Sequence, residues 1–198
     1  MLASSPAIPA DLAGAVLSID LAAIAGNWRL MKQTAGTPRC GAAVKGNAYG
    51  LGIEPVARTL WAAGCRDYFV ARPMEGEELR SLLPEAEIYV LDGLFDRQSE
   101  FYALNRLIPG LVSLDEARQW AAFGRVYGHR LPCAIHIDTG INRLGFSPGE
   151  FEALLAEKRT REGLDIRLVM SHLACADDPA HPLNLKQRDA FAYVRQKL

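Results

Sequence analysis

From Cys40 onward the chain alternates two patterns. A short apolar run bounded by polar or glycine residues is followed by a stretch whose apolar residues recur at helical spacing. The runs are Cys40 to Lys45, Tyr68 to Arg72, Glu87 to Leu91, Ile108 to Ser113, Cys133 to Asp138 and Arg167 to His172. They start roughly 20 to 33 residues apart, the length that a strand, a helix and two short loops require. Runs this apolar suit strands of a parallel sheet buried on both faces, with the intervening helices as cover. The fold class predicted is therefore α/β. Upstream, Val16 to Leu21 reads as a short strand-like run, and Asp20 is placed to cap the segment after it. In that segment Leu21, Ile24, Trp28 and Met31 share a helical face, and Gly36 with Pro38 closes it. Ser113 with Glu116, and Ser147 with Glu150 and Pro148, fit the capping box that opens a helix. Six strand-helix units are predicted. A closed (β/α) barrel needs eight and about 250 residues, so the pattern fits either an open six-stranded sheet or an incomplete barrel.

Composition narrows the function. The chain has 198 residues, 49% of them hydrophobic, enough for one sizeable core. Its 22 basic and 23 acidic residues are well mixed and give a formal charge of -1, so no electrostatic footprint for nucleic acid or an anionic membrane is present. Four cysteines, Cys40, Cys65, Cys133 and Cys175, lie in four separate segments. That spacing suits neither a zinc site nor a disulfide scaffold, and a reducing cytoplasm is the expected setting. Residues 1–15 are expected to be a flexible N-terminus. They lack the basic start of a signal peptide, and no stretch reaches the ~18 apolar residues of a membrane span.

Lys45 ends the first run of the repeat, and in parallel α/β folds the carboxyl ends of strands face the ligand. By itself a lysine there is usually a solvated strand terminus. The loop after it changes the weighting. Gly46, Gly50 and Gly52 permit close backbone approach, and Asn47 and Tyr49 add polar groups. The run is neither a P-loop nor a dinucleotide fingerprint. A partly desolvated lysine beside such a turn suits imine chemistry, because burial makes the neutral, nucleophilic amine accessible.

Residues 43–52 read Ala-Val-Lys-Gly-Asn-Ala-Tyr-Gly-Leu-Gly. This resembles the alanine racemase family, whose motif has the form Val-Val-Lys-Ala-Asn-Ala-Tyr-Gly-His-Gly, with Gly46 and Leu51 departing from it. Further landmarks follow the family's order: Ser18 to Leu21 with Asn27; Val70 and Ala71 with Glu75, Glu78, Leu79 and Arg80; Asp138 to Gly140 with Asn142 to Gly145; and Ser171 and His172 with Ala176, Asp177 and Gln187. The resemblance implies a pyridoxal 5'-phosphate (PLP) enzyme that interconverts L- and D-alanine in the cytoplasm, supplies D-alanine for peptidoglycan, and works as a homodimer. It implies that Lys45 carries PLP and serves as one of two catalytic bases. Tyr49 helps hold the phosphate, Arg143 hydrogen-bonds the phenolic oxygen, and His172 lies beside the pyridine ring. No metal is implied.

The landmarks run across residues 16–191, and residues 16–198 are read as part of an N-terminal PLP-binding barrel with about six of its eight units. The family's second base, a tyrosine, belongs to a β-rich C-terminal domain that finds no match here. A truncated frame, a partial gene model or an experimental fragment is accordingly expected rather than a complete small enzyme. The family often carries a carbamylated lysine two residues before Asp138, where it orients the arginine. His136 stands there and cannot form a carbamate, so Arg143 is expected to be oriented by water, an anion or another side chain. Three rival readings are a non-catalytic single-domain PLP-binding protein serving cofactor homeostasis, an inert fragment, and, from Asp138, Thr139 and Gly140, an aspartic-protease-like protein.

Overall fold

The computed structural model describes residues 12–198. The expected flexible segment 1–15 lies mostly outside the described residues. From Asp20 the chain enters α1 (Leu21–Ala35), and the Asp20 carboxylate accepts from Ala23 N at 2.9 Å, which satisfies an otherwise unpaired first-turn donor. The expected strand at Val16 to Leu21 is not formed: Val16 and Leu17 are exposed coil, because no neighbouring strand offers them a ladder. In α1, Ala25 and Trp28 are buried and Leu21 and Ile24 pack on the core. Met31, expected on the same face, is 54% exposed.

Six strands then alternate with helices. They are β1 (Ala42–Ala43), β2 (Asp67–Val70), β3 (Glu87–Val90), β4 (Ile108–Leu111), β5 (Leu131–His136) and β6 (Leu164–Met170). The helices are α2 (Lys45–Tyr49), α3 (Ile53–Ala63), α4 (Pro73–Leu82), α5 (Ser99–Leu104), α6 (Leu114–Tyr127), α7 (Pro148–Ala156), α8 (Lys158–Glu162) and α9 (Pro182–Lys197). Each strand pairs in parallel with the next, in the order β1-β2-β3-β4-β5-β6. A doubly wound sheet reverses its strand order partway; this one does not. The sequential order is that of a barrel wall, and among the described residues β1 and β6 do not pair with each other. Incomplete barrel is thus the alternative that the pairing selects.

The pleat sends alternate residues to two separate cores. Tyr68, Val70, Ile88, Val90, Leu111, Cys133 and Ile135 face the helices and join the larger one with Leu79, Trp120, Phe151 and Leu154. Phe69, Tyr89, Ile108, Ala134, Leu168 and Met170 face the other way and fill the barrel interior, with Phe69 and Tyr89 stacked 5.0 Å apart. Gly110 belongs to this inner face. A Cβ there would come within 2.7 Å of Met170 Cε, so the glycine makes room for the methionine from β6. β6 is less buried than the strands before it.

The capping boxes differ from expectation in one respect. Ser147 and Glu150 form the complete box with Pro148 in the first turn. At α6 the Ser113 hydroxyl accepts from Glu116 N, but the Glu116 carboxylate turns instead to Leu94 N and Val112 N, tying the loop after β3 to the end of β4. In α9, Val194 is buried and Phe191 half-buried, whereas Leu198, expected on the same face, is exposed.

Candidate functional site

The carboxyl ends of the strands surround a cavity of about 480 Å³. Its wall includes Lys45 and Tyr49 from beyond β1, Asp92 from beyond β3, His136 and Arg143 from the end of β5 and the loop after it, and Ser171 and His172 from beyond β6. All four site residues expected from the sequence therefore meet at one place, although 127 positions separate the first from the last. A larger concavity of about 660 Å³ lies at the opposite end of the sheet, lined by Arg125, His129, Arg130, Lys158 and Arg159. Arg125 lies in the last turn of α6 and Arg159 in that of α8, where each offsets the negative end of a helix dipole, and Lys158 pairs with Glu162 along α8, so we assign the concavity a structural role.

Lys45 is half-buried at a sharp change of backbone direction. Val44 N still donates to Phe69 O at 2.9 Å, as a strand residue would. Gly46, Asn47, Ala48 and Tyr49 then all take left-handed conformations, with φ between 53° and 61°. Such geometry costs roughly 1–2 kcal/mol per non-glycine residue, so the surroundings must hold it. The Glu75 carboxylate does so from α4. Its Oε1 accepts from Gly46 N at 2.6 Å, and its Oε2 from Ala71 N and Arg72 N at 2.7 and 3.0 Å. Asn47 Oδ1 accepts from Ile53 N at 2.7 Å and so opens α3. Asn47 thus serves the loop rather than a ligand. The turn leaves Tyr49 67% exposed at the cavity rim.

Arg143 rides on a loop built by Asp138, whose Oδ1 accepts from the backbone of Gly140, Ile141 and Asn142 at 2.8–3.1 Å. The carboxylate is occupied by its own loop and does not pair with Arg143. With a parallel α/β sheet around it, this sets aside the aspartic-protease reading. The loop closes by returning to β5: Phe146 N donates to His136 O, and Asp138 N to Phe146 O. Neither Lys45 nor Arg143 joins an ion pair among the described residues.

Burial, followed by the positive charge of Arg143 and the neighbouring His172, holds the His136 imidazole below its usual pKa. Partial burial, then Arg143 and Lys45, lowers His172 in the same direction. Both rings are therefore neutral at pH 7, beside two cations. His136 is 6% exposed, and its Nδ1 is buried without a hydrogen-bond partner. An amine, a guanidinium, a phenol and two neutral imidazoles around one hollow suit an anionic ligand, and the volume falls within the range of small-molecule pockets. Phe69, Asp92, Leu144 and Met170 were not singled out as site residues. Strand register brings Phe69 and Met170 to the cavity, and the loops after β3 and β5 bring Asp92 and Leu144.

Residues 19–198 match the family model for the alanine racemase N-terminal domain. The chain is 44% identical over 180 residues to an alanine racemase of Rhizobium meliloti (strain 1021), covering 90% of this chain and 47% of that protein. It is 47% identical over 179 residues to a biosynthetic alanine racemase of Agrobacterium fabrum, covering 90% and 45% respectively. The crystal structure of alanine racemase from Bartonella henselae with covalently bound pyridoxal phosphate superposes with a TM-score of 0.87 at 36% identity, covering 91% of this chain and 53% of that one. The chain spans about half the length of the curated relatives it matches. On this coverage and identity, the chain belongs to the alanine racemase N-terminal domain family.

Proposed function

We propose that this chain provides the cofactor-carrying half of an alanine racemase, with PLP attached to Lys45. The observation that carries the reading is the convergence of Lys45, Tyr49, Arg143 and His172 on one cavity at the strand ends. The donor set fits the group: the Lys45 amine for its aldehyde, the Tyr49 hydroxyl for its phosphate, the Arg143 guanidinium for its phenolic oxygen, and His172 beside its ring. His136 also lines the cavity, and its buried Nδ1 has no hydrogen-bond partner among the described residues. When bound, PLP supplies an electron sink for a carbanion at the substrate α-carbon.

The chain's own residues have three tasks. Lys45 takes a proton from, or returns one to, the α-carbon of alanine on its own side. Arg143 fixes the ring position with its charge, and the two neutral histidines line the site without adding further positive charge. The left-handed turn braced by Glu75 fixes where the Lys45 amine begins. Racemisation also needs a proton donor on the opposite face, and we assign that role to none of the cavity residues. Homodimerisation, a cytoplasmic location and supply of D-alanine to peptidoglycan belong to the same reading; among the described residues no helix is long and apolar enough to cross a membrane.

The test is an absorbance titration of the chain with PLP. A band at the edge of the visible is expected, absent in Lys45→Ala and fixed covalently to Lys45 by borohydride. Chiral analysis of alanine then separates a racemase from a non-catalytic PLP-binding protein. Failure of the wild-type chain to take up PLP would refute the reading for these residues.

A further inference from the structure

Gln187 lies on α9, is 1% exposed, and uses its whole amide. Nε2 donates to Thr139 Oγ1 at 3.0 Å and to His172 O at 2.9 Å, and Oε1 accepts from Ala174 N at 2.9 Å. The orientation of this amide is fixed by its partners. A flipped group would set an NH₂ against the Ala174 N–H and an oxygen against the His172 carbonyl. One side chain therefore joins the loop bearing Arg143 to the loop bearing His172.

The same bonds direct a proton. Thr139 Oγ1 and Ser171 Oγ are 2.7 Å apart, and geometry alone permits either to donate. Thr139 already accepts from Gln187. If it also accepted from Ser171, its own proton would have no acceptor among its described hydrogen-bond partners. Ser171 lines the cavity and Thr139 does not, so donation from Thr139 to Ser171 is the arrangement that leaves a hydroxyl proton available to a ligand in the cavity. We propose that Gln187 is a positioning residue: it holds the Arg143 and His172 loops at a fixed spacing and, through Thr139, turns the Ser171 hydroxyl into a donor to an oxygen of the anionic ligand. The ligand half of this inference rests on the function proposed above.

The test compares substitutions in the full chain. Asn184, one turn earlier on α9, donates to Cys175 O and Asp178 O and hydrogen-bonds to neither Thr139 nor His172, so Asn184→Leu controls for lost hydrogen bonds in the same helix. Gln187→Leu and Asn184→Leu are both expected to lower the thermal midpoint. Gln187→Leu alone is expected to weaken PLP binding at least tenfold and, in the cofactor-free protein, to raise the His172 imidazole titration seen by NMR toward the ordinary histidine value. Thr139→Val and Ser171→Ala are each expected to weaken PLP binding about three- to tenfold, the worth of one hydrogen bond, and the double variant no further. Thr139→Val keeps the bond to His172 O and carries the test if Gln187→Leu does not fold. Equal effects of Gln187→Leu and Asn184→Leu on His172 and on PLP would overturn the inference, as would wild-type affinity in Thr139→Val. If the wild-type chain takes up no PLP, the function proposed above fails, whereas the His172 titration still decides the loop clamp.

Discussion

Gly145→Ala tests the loop that carries Arg143. Gly145 has φ of 123°, a conformation that L side chains rarely adopt. The three atoms nearest to a Cβ built there are all backbone: Asp138 N at 2.6 Å, Ile137 C at 2.9 Å and His136 O at 3.0 Å. Backbone atoms cannot swing away as the end of a side chain can, so β5 and the returning loop must separate to relieve those contacts. That movement strains the bonds from Phe146 N to His136 O, 2.7 Å, and from Asp138 N to Phe146 O, 3.0 Å. Backbone strain of about 1–3 kcal/mol and overpacking of about 1–3 kcal/mol give a cost of roughly 2–6 kcal/mol. At about 2–4 °C per kcal/mol for a chain of this size, that lowers the thermal midpoint by roughly 4–24 °C. Gly149→Ala is the matched control. Gly149 has open space around its Cβ direction in the first turn of α7, and the substitution is expected to be neutral or to stabilise by up to about 1 kcal/mol. Urea unfolding at pH 7.5 measures both. A cost below about 1 kcal/mol for Gly145→Ala, or equal costs at the two sites, would refute the reasoning.

Three further outcomes follow from the same geometry. Glu75→Gln leaves one oxygen where the carboxylate served three backbone donors. It is expected to cost about 1–3 kcal/mol in urea unfolding and to weaken PLP uptake, and an unchanged midpoint would show that the left-handed turn needs no brace. His136 and His172 are held below the usual histidine pKa by burial, with Arg143 as the next cause for each. The unfolded chain therefore takes up these protons first, so stability is undiminished above about pH 6.5 and falls as pH drops from there through the folded values. His136→Asn is expected to flatten that slope between pH 7.5 and 5.5, and an unchanged slope would assign the effect to other groups. Burial pushes the Cys65 thiol up to about 11 and raises Cys133 further. Iodoacetamide on the native chain at pH 8 is expected to label the half-buried Cys40 and Cys175 and spare the other two, and rapid labelling of Cys133 would contradict the packing around β5.

The residue pattern alone determined the alternation of strand and helix, because a run buried on both faces and a helix buried on one leave different periodicities. It also held the Lys45 motif, the Ser147 box and the Asp20 cap, each a local interaction within a few residues. It misjudged Val16 to Leu21, Met31 and Leu198, since apolar character gives the capacity for burial but not the presence of a neighbour. Only the tertiary structure decided between an open sheet and a barrel wall, because strand order lies in pairings between distant segments. It likewise assigned Asn47 and Asp138 to their own loops, revealed Glu75 as the brace of the left-handed turn, and brought Gln187 from α9 against Thr139 and His172. Those are contacts across many intervening residues, formed when the sheet brings its strand ends together, and no short stretch of sequence carries them.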